Sequence, residues 1–391
     1  MKKYIAFFIV LTVTLLACMP AFAENEQKTE AEYVSLVKPD LEINAKSAVL
    51  MDASTGEILF EKNADASYSP ASVTKIMTLL LVMEAIDDGR ISLDDNVSIS
   101  AYAASMGGSQ VFLKEGEAMS VEELIKCAVI ASANDASVAL AELVAGSETA
   151  FVSMMNKRAA ELGMKGSNFE NVTGLDDDTV NHVTSARDIA IMSRELISHE
   201  KILEYSSIWQ DTIRNGEFTL TNTNRLVRFY EGCNGLKTGS TSKAGYCMSA
   251  TAKRDGMQLI AVVMGAESRD TRNSIARSML DFGFSSYALY RAEERLLEYA
   301  PVLFGAVDEV ALYSEPFMKI VNKGDISKIE LKYTLPESIS APMSAGSAVG
   351  KIEYYAKGEL LGESKVYINE DIGRLSFLEL FARMLKLAIC G

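Results

Sequence analysis

The chain opens on an apolar run, Tyr4 to Leu16, behind Lys2 and Lys3 and ahead of Ala21-Phe22-Ala23. A basic start, 13 apolar residues and a small-x-small site before Glu24 predict a cleaved export signal over residues 1–23. The run is shorter than the ~20 residues a spanning helix needs. Leu15-Leu16-Ala17-Cys18 also suits lipoprotein cleavage with a lipidated Cys18, an alternative that stays open. An exposed polar leader follows over residues 24–40. Two apolar runs, Ser47 to Met51 and Glu57 to Phe60, then flank a turn ending at Gly56 and predict a β-hairpin. Pro70 to Ile86 reads as a helix that is apolar all round, and such a helix is buried. Ser120 and Glu123 make a capping box for a helix through Ile130. Helical spacing continues over Ala136 to Val144, Glu148 to Leu162 and Ser185 to Ile197. Strands return at Gly235 to Thr238 and Gly245 to Lys253, and Arg254-Asp255-Gly256 turns into a third, Leu259 to Met264. A helix over Asn273 to Phe282 completes an α/β domain with an antiparallel sheet, spanning 41–295.

The pattern then changes. Over 302–372 short alternating segments, such as Lys328 to Tyr333 and Gly350 to Tyr355, lie between Gly, Pro and Asn turns and predict a small all-β domain. The tail, 374–391, is a separate amphipathic helix opened by the capping box Ser376 and Glu379. Phe377, Phe381, Met384, Leu385 and Ala388 share one face, and Ser376, Glu379, Arg383 and Lys386 form the polar stripe. At about 20 Å it is too short to cross a hydrocarbon core of about 30 Å, and it fits a helix lying on a membrane surface.

Composition narrows the chemistry. The 391 residues are 48% hydrophobic and 23% charged, as in a soluble globular chain. The net charge of −15, which becomes −17 if residues 1–23 are removed, argues against nucleic acid as a partner. Five cysteines, Cys18 among them, do not make a disulfide framework. Only two histidines occur, His182 and His199, both read as structural or solvated, and no HExxH or CxxC is present. Metal hydrolysis is therefore not expected, and no metal or cofactor is expected. A nucleophile here needs a base other than histidine. Trp209 and the 18 methionines read as core filling, and Asp176 to Asp178 as a solvated loop.

Ser69-Pro70-Ala71-Ser72-Val73-Thr74-Lys75 supplies that base. With Ser69 as N-cap and Pro70 at the first helical position, Ser72 is the third helical residue, its N–H without an intrahelical partner. Lys75 falls three residues on, on the same face, within reach of the Ser72 hydroxyl. Burial near a helix N-terminus lowers a lysine pKa and makes it a base. Ser-x-x-Lys alone is a weak signal. Ser132-Ala133-Asn134, at a junction of two helices, and Lys237-Thr238-Gly239, on a strand, follow at intervals of 60 and 105 residues. The three in this order make chance an inadequate account.

These motifs, with Ile76-Met77-Thr78, Gly235-Leu236, Ser240-Thr241, Ala244-Gly245-Tyr246, Gly174-Leu175 and Thr184-Ser185-Ala186-Arg187-Asp188, make the chain resemble a serine-type D-Ala-D-Ala carboxypeptidase, a low-molecular-mass penicillin-binding protein. Arg228 to Cys233 resembles its sporulation-associated branch. The resemblance runs from about residue 40 to the end. It implies a β-lactamase/penicillin-binding transpeptidase-like α/β domain, followed by the small all-β domain and the terminal helix. It implies that Ser72 attacks the D-Ala-D-Ala carbonyl, Lys75 takes its proton, and Ser132 relays one to the leaving D-alanine. Asn134 would bind the substrate amide. Lys237 and Thr238 would meet the terminal carboxylate, Gly239 would admit the substrate, and Ser240 would lend an oxyanion N–H beside Thr241. Arg272 aligns loosely with a carboxylate-binding arginine, against a reading as a plain surface residue. The implied partners are peptidoglycan peptide stems, β-lactams as covalent inhibitors, and the outer face of the cytoplasmic membrane. Rivals are a β-lactamase, for which no deacylating Glu-x-x-x-Asn loop is found, a DD-endopeptidase or transpeptidase, and a non-catalytic wall-binding protein, against which the intact motif residues argue.

Overall fold

The computed structural model describes residues 40–390; the export signal, Cys18 and nearly all of the leader lie outside the described residues. Strands β1 (Ser47–Asp52) and β2 (Ile58–Lys62) form the first hairpin. A 3-10 turn, Ala71–Thr74, leads into α1 (Lys75–Asp87), followed by α2 (Val121–Ile130), α3 (Asn134–Ala145), α4 (Glu148–Glu161) and α5 (Ala186–Ser198). The chain then adds β3 (Cys233–Thr241), β4 (Gly245–Arg254), β5 (Met257–Ala266) and α6 (Arg269–Ser286). The five strands make one antiparallel sheet in the order β2-β1-β5-β4-β3.

Alternation along the strands divides the core between the two faces of this sheet. Val49, Met51, Ile260 and Val262 pack with α1 and the other central helices. Ala48, Leu50, Leu259 and Ala261 pack with Ile275, Met279 and Leu280 of α6. Burial on both faces explains why these strands read as apolar runs. Asp255 and Gly256 both take positive φ, 49° and 79°, as a two-residue β4–β5 hairpin requires. Ser120, Ser147, Ser185 and Ser268 each accept a backbone N–H three residues on, and Gly146 ends α3 at φ 77°.

Two elements differ from the sequence reading. Ser69 does not cap a helix: its hydroxyl donates to Asp176 Oδ2 at 3.2 Å, and the chain enters α1 through a 3-10 turn whose first residue, Ala71, sits at φ 50°. The last helix of this part runs from Arg269 rather than Asn273, because Ser268 caps it one turn earlier.

The small β part begins at β6 (Tyr287–Ala292) and continues as β7 (Arg295–Leu303), β8 (Glu309–Ser314), β9 (Phe317–Asn322), β10 (Ile329–Thr334), β11 (Ile339–Ser340), β12 (Ala348–Ala356) and β13 (Glu359–Ile368). Six of these form a sheet in the order β10-β12-β13-β8-β7-β11 around Val302, Leu312, Ile352 and Val366, while β6 pairs with β9. Tyr287 and Ile320 of the β6–β9 pair reach into the α6 core, and Lys319 meets Glu57 at 3.3 Å. Helix α7 (Phe377–Cys390) ends the described chain, with Phe377 and Leu378 exposed.

Candidate active site

Ser72 is presented by the 3-10 turn. Val73 N–H donates to the Pro70 carbonyl, so the Ser72 N–H precedes the first bond of the turn. Strand β3 passes against this turn at Gly239: a Cβ there would lie 2.7 Å from Ser72 N and 2.9 Å from Val73 N. Only glycine permits that approach. The sequence reading gave Gly239 to substrate access; the geometry gives it first to the packing of strand on turn.

Lys75, the first residue of α1, is completely buried. Its Nζ donates to Asn134 Oδ1 at 2.6 Å and the Thr173 carbonyl at 2.8 Å and lies 3.2 Å from Ser72 Oγ, so in the neutral amine the lone pair is left to accept the Ser72 hydroxyl. Burial, and secondarily the charge of Lys237, hold its pKa well below the usual lysine range, while Asp135 opposes the shift. A neutral amine hydrogen-bonded to a serine hydroxyl is a general base in place.

Ser132 sits between α2 and α3 at φ 63°, and its hydroxyl accepts from Lys237 Nζ at 2.7 Å. Lys237 also donates to the Thr238 carbonyl at 3.0 Å, and burial, then the charge of Arg272, push its pKa down to about 7. Asn134 was expected to face substrate. Its carbonyl oxygen instead holds Lys75, and its Nδ2 donates to the Gly107 carbonyl at 2.7 Å. Thr238 Oγ1 donates to Thr223 Oγ1 at 2.8 Å.

A cleft of about 400 Å³ opens over these groups, lined by Ser72, Ser132, Thr238, Gly239, Ser240 and Arg272 among others. Arg272 is buried in its wall, not spread on the surface, and donates to the Cys247 carbonyl at 3.4 Å and to Asn273 Oδ1. Burial first, then Arg269, lowers its pKa to about 10. No acidic residue lines the cleft among the described residues, so a chain of net charge −15 presents a locally cationic pocket. Thr241 is not in the lining; its hydroxyl donates to Asp176, which also accepts from Ser69. Asp176 is thus a tie between β3 and the Ser72 turn, not a free loop acid.

Several contributors carried no local signal in the sequence. Trp209, read as core filling, lines the cleft with Ser109, Asn222 and Arg225. Asp135 is buried and accepts the Val111 and Leu113 N–H groups, fixing the segment that carries Ser109. An acid in the first turn of an otherwise apolar helix was the one available hint.

The profile described as D-alanyl-D-alanine carboxypeptidase matches residues 33–268, and that of the penicillin-binding protein 5 C-terminal domain matches 284–374. The D-alanyl-D-alanine carboxypeptidase DacF of Bacillus subtilis is 41% identical over 390 residues, covering 98% of both chains. DacD of Escherichia coli, of the same description, is 36% identical over 369 residues, 90% of this chain and 92% of its own. Penicillin-binding protein 5 from Haemophilus influenzae superposes with a TM-score of 0.76 at 32% identity, over 86% of this chain and 100% of that one. Penicillin-binding protein D2 from Listeria monocytogenes, solved in its ampicillin-bound form, matches with a TM-score of 0.58 at 33% identity, over 63% of this chain and 100% of its own. Similarity that runs through both the catalytic part and the small β part is more than a shared fold: the chain belongs to the D-alanyl-D-alanine carboxypeptidase family, the serine-type carboxypeptidases among the penicillin-binding proteins.

Proposed function

We propose that Ser72 is the nucleophile by which this carboxypeptidase removes the terminal D-alanine from peptidoglycan pentapeptide stems. The carrying observation is the buried Lys75 amine on the Ser72 hydroxyl. Ser72 Oγ attacks the penultimate D-alanine carbonyl as Lys75 Nζ takes its proton. The N–H groups of Ser72 and Ser240 receive the oxyanion, one from the turn and one from β3. β3 is the edge strand of its sheet, so an extended peptide can pair with its free side. As the C–N bond breaks, the proton that Lys75 took is returned through the Ser132 hydroxyl to the departing amine, leaving Lys75 neutral, the acyl group on Ser72 and D-alanine free. Water then attacks the ester as neutral Lys75 takes its proton, and Lys75 returns that proton to Ser72 Oγ as the acyl C–O bond breaks, regenerating the serine and the free amine. Lys237, Thr238 and Arg272 hold the terminal carboxylate, and Thr241 supports β3 through Asp176. Asn134 orients Lys75 and offers its remaining amide hydrogen to the substrate. A β-lactam carbonyl meets the same Ser72 and acylates it.

The same reading places the protein outside the cytoplasmic membrane. The 1–23 segment would export it, and α7, with exposed Phe377, Leu378, Phe381 and Leu385, would rest on the membrane surface. Among the described residues no single helix is long and apolar enough to cross a membrane. A sporulation role is supported by the likeness to DacF.

The test is release of D-alanine from a diacylated D-Ala-D-Ala peptide by the purified protein and by Ser72→Ala. Wild-type release that is lost in the variant, with a penicillin adduct mapped to Ser72 by mass spectrometry, is the expected result. Equal release by both proteins overturns the assignment.

A further inference from the structure

The residue before Ser72, Ala71, holds φ 50°, a left-handed conformation that an L-residue rarely adopts. Something must over-determine it. The Ala71 carbonyl accepts from Thr74 Oγ1 at 2.9 Å, and Thr74 Oγ1 lies 2.7 Å from His182 Nε2. Glu170 N–H donates to His182 Nδ1 at 3.0 Å. That bond settles the tautomer: Nδ1 is the acceptor, so Nε2 carries the hydrogen and donates to Thr74. Thr74 then has its own hydrogen left for Ala71. The two side chains in this chain of bonds, His182 and Thr74, each accept once and donate once, all in one direction.

The loop bearing His182 is fastened to the same turn from other sides. Gly174 packs so closely that a Cβ would lie 1.9 Å from the Ala71 carbonyl oxygen. Thr78 Oγ1 donates to the Val172 carbonyl at 2.7 Å, and Lys75 donates to that of Thr173. Thr184 exchanges backbone bonds with Tyr68 at 2.9 Å each way. His182 is fully buried, packs edge-on to Phe169 at 5.8 Å, and does not line the cleft. It therefore touches no substrate.

We propose that His182 is a positioning residue for acylation: through Thr74 it fixes the Ala71 carbonyl, and with it the strained turn that aims the Ser72 hydroxyl and N–H. The inference rests on the reaction proposed above for Ser72. The device works only with neutral His182, since a proton on Nδ1 would set two donors, it and the Glu170 N–H, against each other. Burial keeps it neutral, lowering its pKa to about 4; Glu170 and Asp176 favour the charged form, and Lys243 opposes it.

The experiment measures acylation of the full-length protein by a fluorescent penicillin, separating the bimolecular binding constant from the first-order acylation rate. Thr74→Val keeps the shape and removes the relay; Thr74→Ser restores the hydroxyl; His182→Gln tests the other end. Thr74→Val is expected to slow the first-order step by about 10- to 100-fold, with the binding constant within about threefold of wild type. Thr74→Ser is expected to recover most of that rate, and His182→Gln to fall between them. Thr74→Val acylating at the wild-type rate, or weakening binding and rate equally with no recovery in Thr74→Ser, overturns the proposal. Wild-type protein that neither acylates nor releases D-alanine overturns the reaction itself, and the positioning role with it. If Thr74→Val does not fold, the His182→Gln rate decides alone: wild-type speed refutes the relay.

Discussion

In the proposed reaction two buried lysines beside the cleft need opposite charges. Lys75 must be neutral to take the Ser72 proton, and its pKa is held low by burial and by Lys237. Lys237 must be charged to hold a carboxylate, yet in the free protein its pKa is about 7. The acid limb of kcat/KM for D-alanine release therefore reports protonation of Lys75, and the alkaline limb, above about pH 7, loss of the Lys237 proton. A bell-shaped profile is expected, with the alkaline limb carried by KM and absent in Lys237→Gln. A wild-type profile flat from pH 7 to 9 would contradict the assignment. His182 carries a separate expectation for folding. Its pKa falls from 6.5 to about 4 in the folded chain, so between those values the unfolded state binds the proton that the native state refuses. Its contribution to stability is full above pH 6.5, lost as pH falls through that window, and worth about 3 kcal/mol over the whole shift. Denaturant titrations at several pH values check this: the wild type should lose more stability than His182→Gln between pH 7 and pH 4.

At the scale of elements, Gly239 makes the cleft possible by letting β3 lie against the Ser72 turn. Gly239→Ala forces a Cβ to within 2.7 Å of Ser72 N, so strand and turn must part. A loss of about 1–3 kcal/mol in stability is expected, as for overpacking elsewhere, with acylation slowed at least about tenfold. Thermal melts and penicillin labelling measure the two effects, and a variant with unchanged labelling would sever Gly239 from the geometry of Ser72. Much of this architecture was legible because it is local. The Ser120 capping box, the hairpin at Asp255-Gly256 and the three motifs are fixed by neighbours in sequence. What was not legible is set by distant partners. The Thr173 carbonyl on Lys75 comes from 98 residues away, and nothing near Ser69 announces that Asp176, 107 residues on, displaces its role as a cap. Asn134 turned toward Lys75 for the same reason: a buried amine needs acceptors, and the Asn134 amide oxygen supplies one at 2.6 Å. Trp209 reads as core in any sequence, since only the fold decides whether an indole closes a core or walls a cleft.

For the whole molecule, the question is what the small β part and α7 do for a reaction confined to the cleft. The β6–β9 pair shares apolar contacts with the α6 core through Tyr287 and Ile320, so the two parts are packed together rather than tethered. The remaining strands close around a core of their own. Neither lends a side chain to the cleft lining. In the membrane-surface reading proposed above, their work would be one of placement: a chain of net charge −15 is repelled by an anionic lipid surface, and an apolar helix face would offset that repulsion. Phe377 and Leu378, each more than three-quarters exposed, lie unburied by the rest of the protein. Removing residues 374–391 should leave kcat/KM on a soluble D-Ala-D-Ala peptide within about twofold of the full chain, because the cleft and both cores are intact. The same truncation should abolish co-sedimentation with phosphatidylglycerol-containing vesicles. Truncated protein that still sediments would move the membrane contact elsewhere, and truncated protein with impaired peptide hydrolysis would mean that α7 acts on the cleft after all.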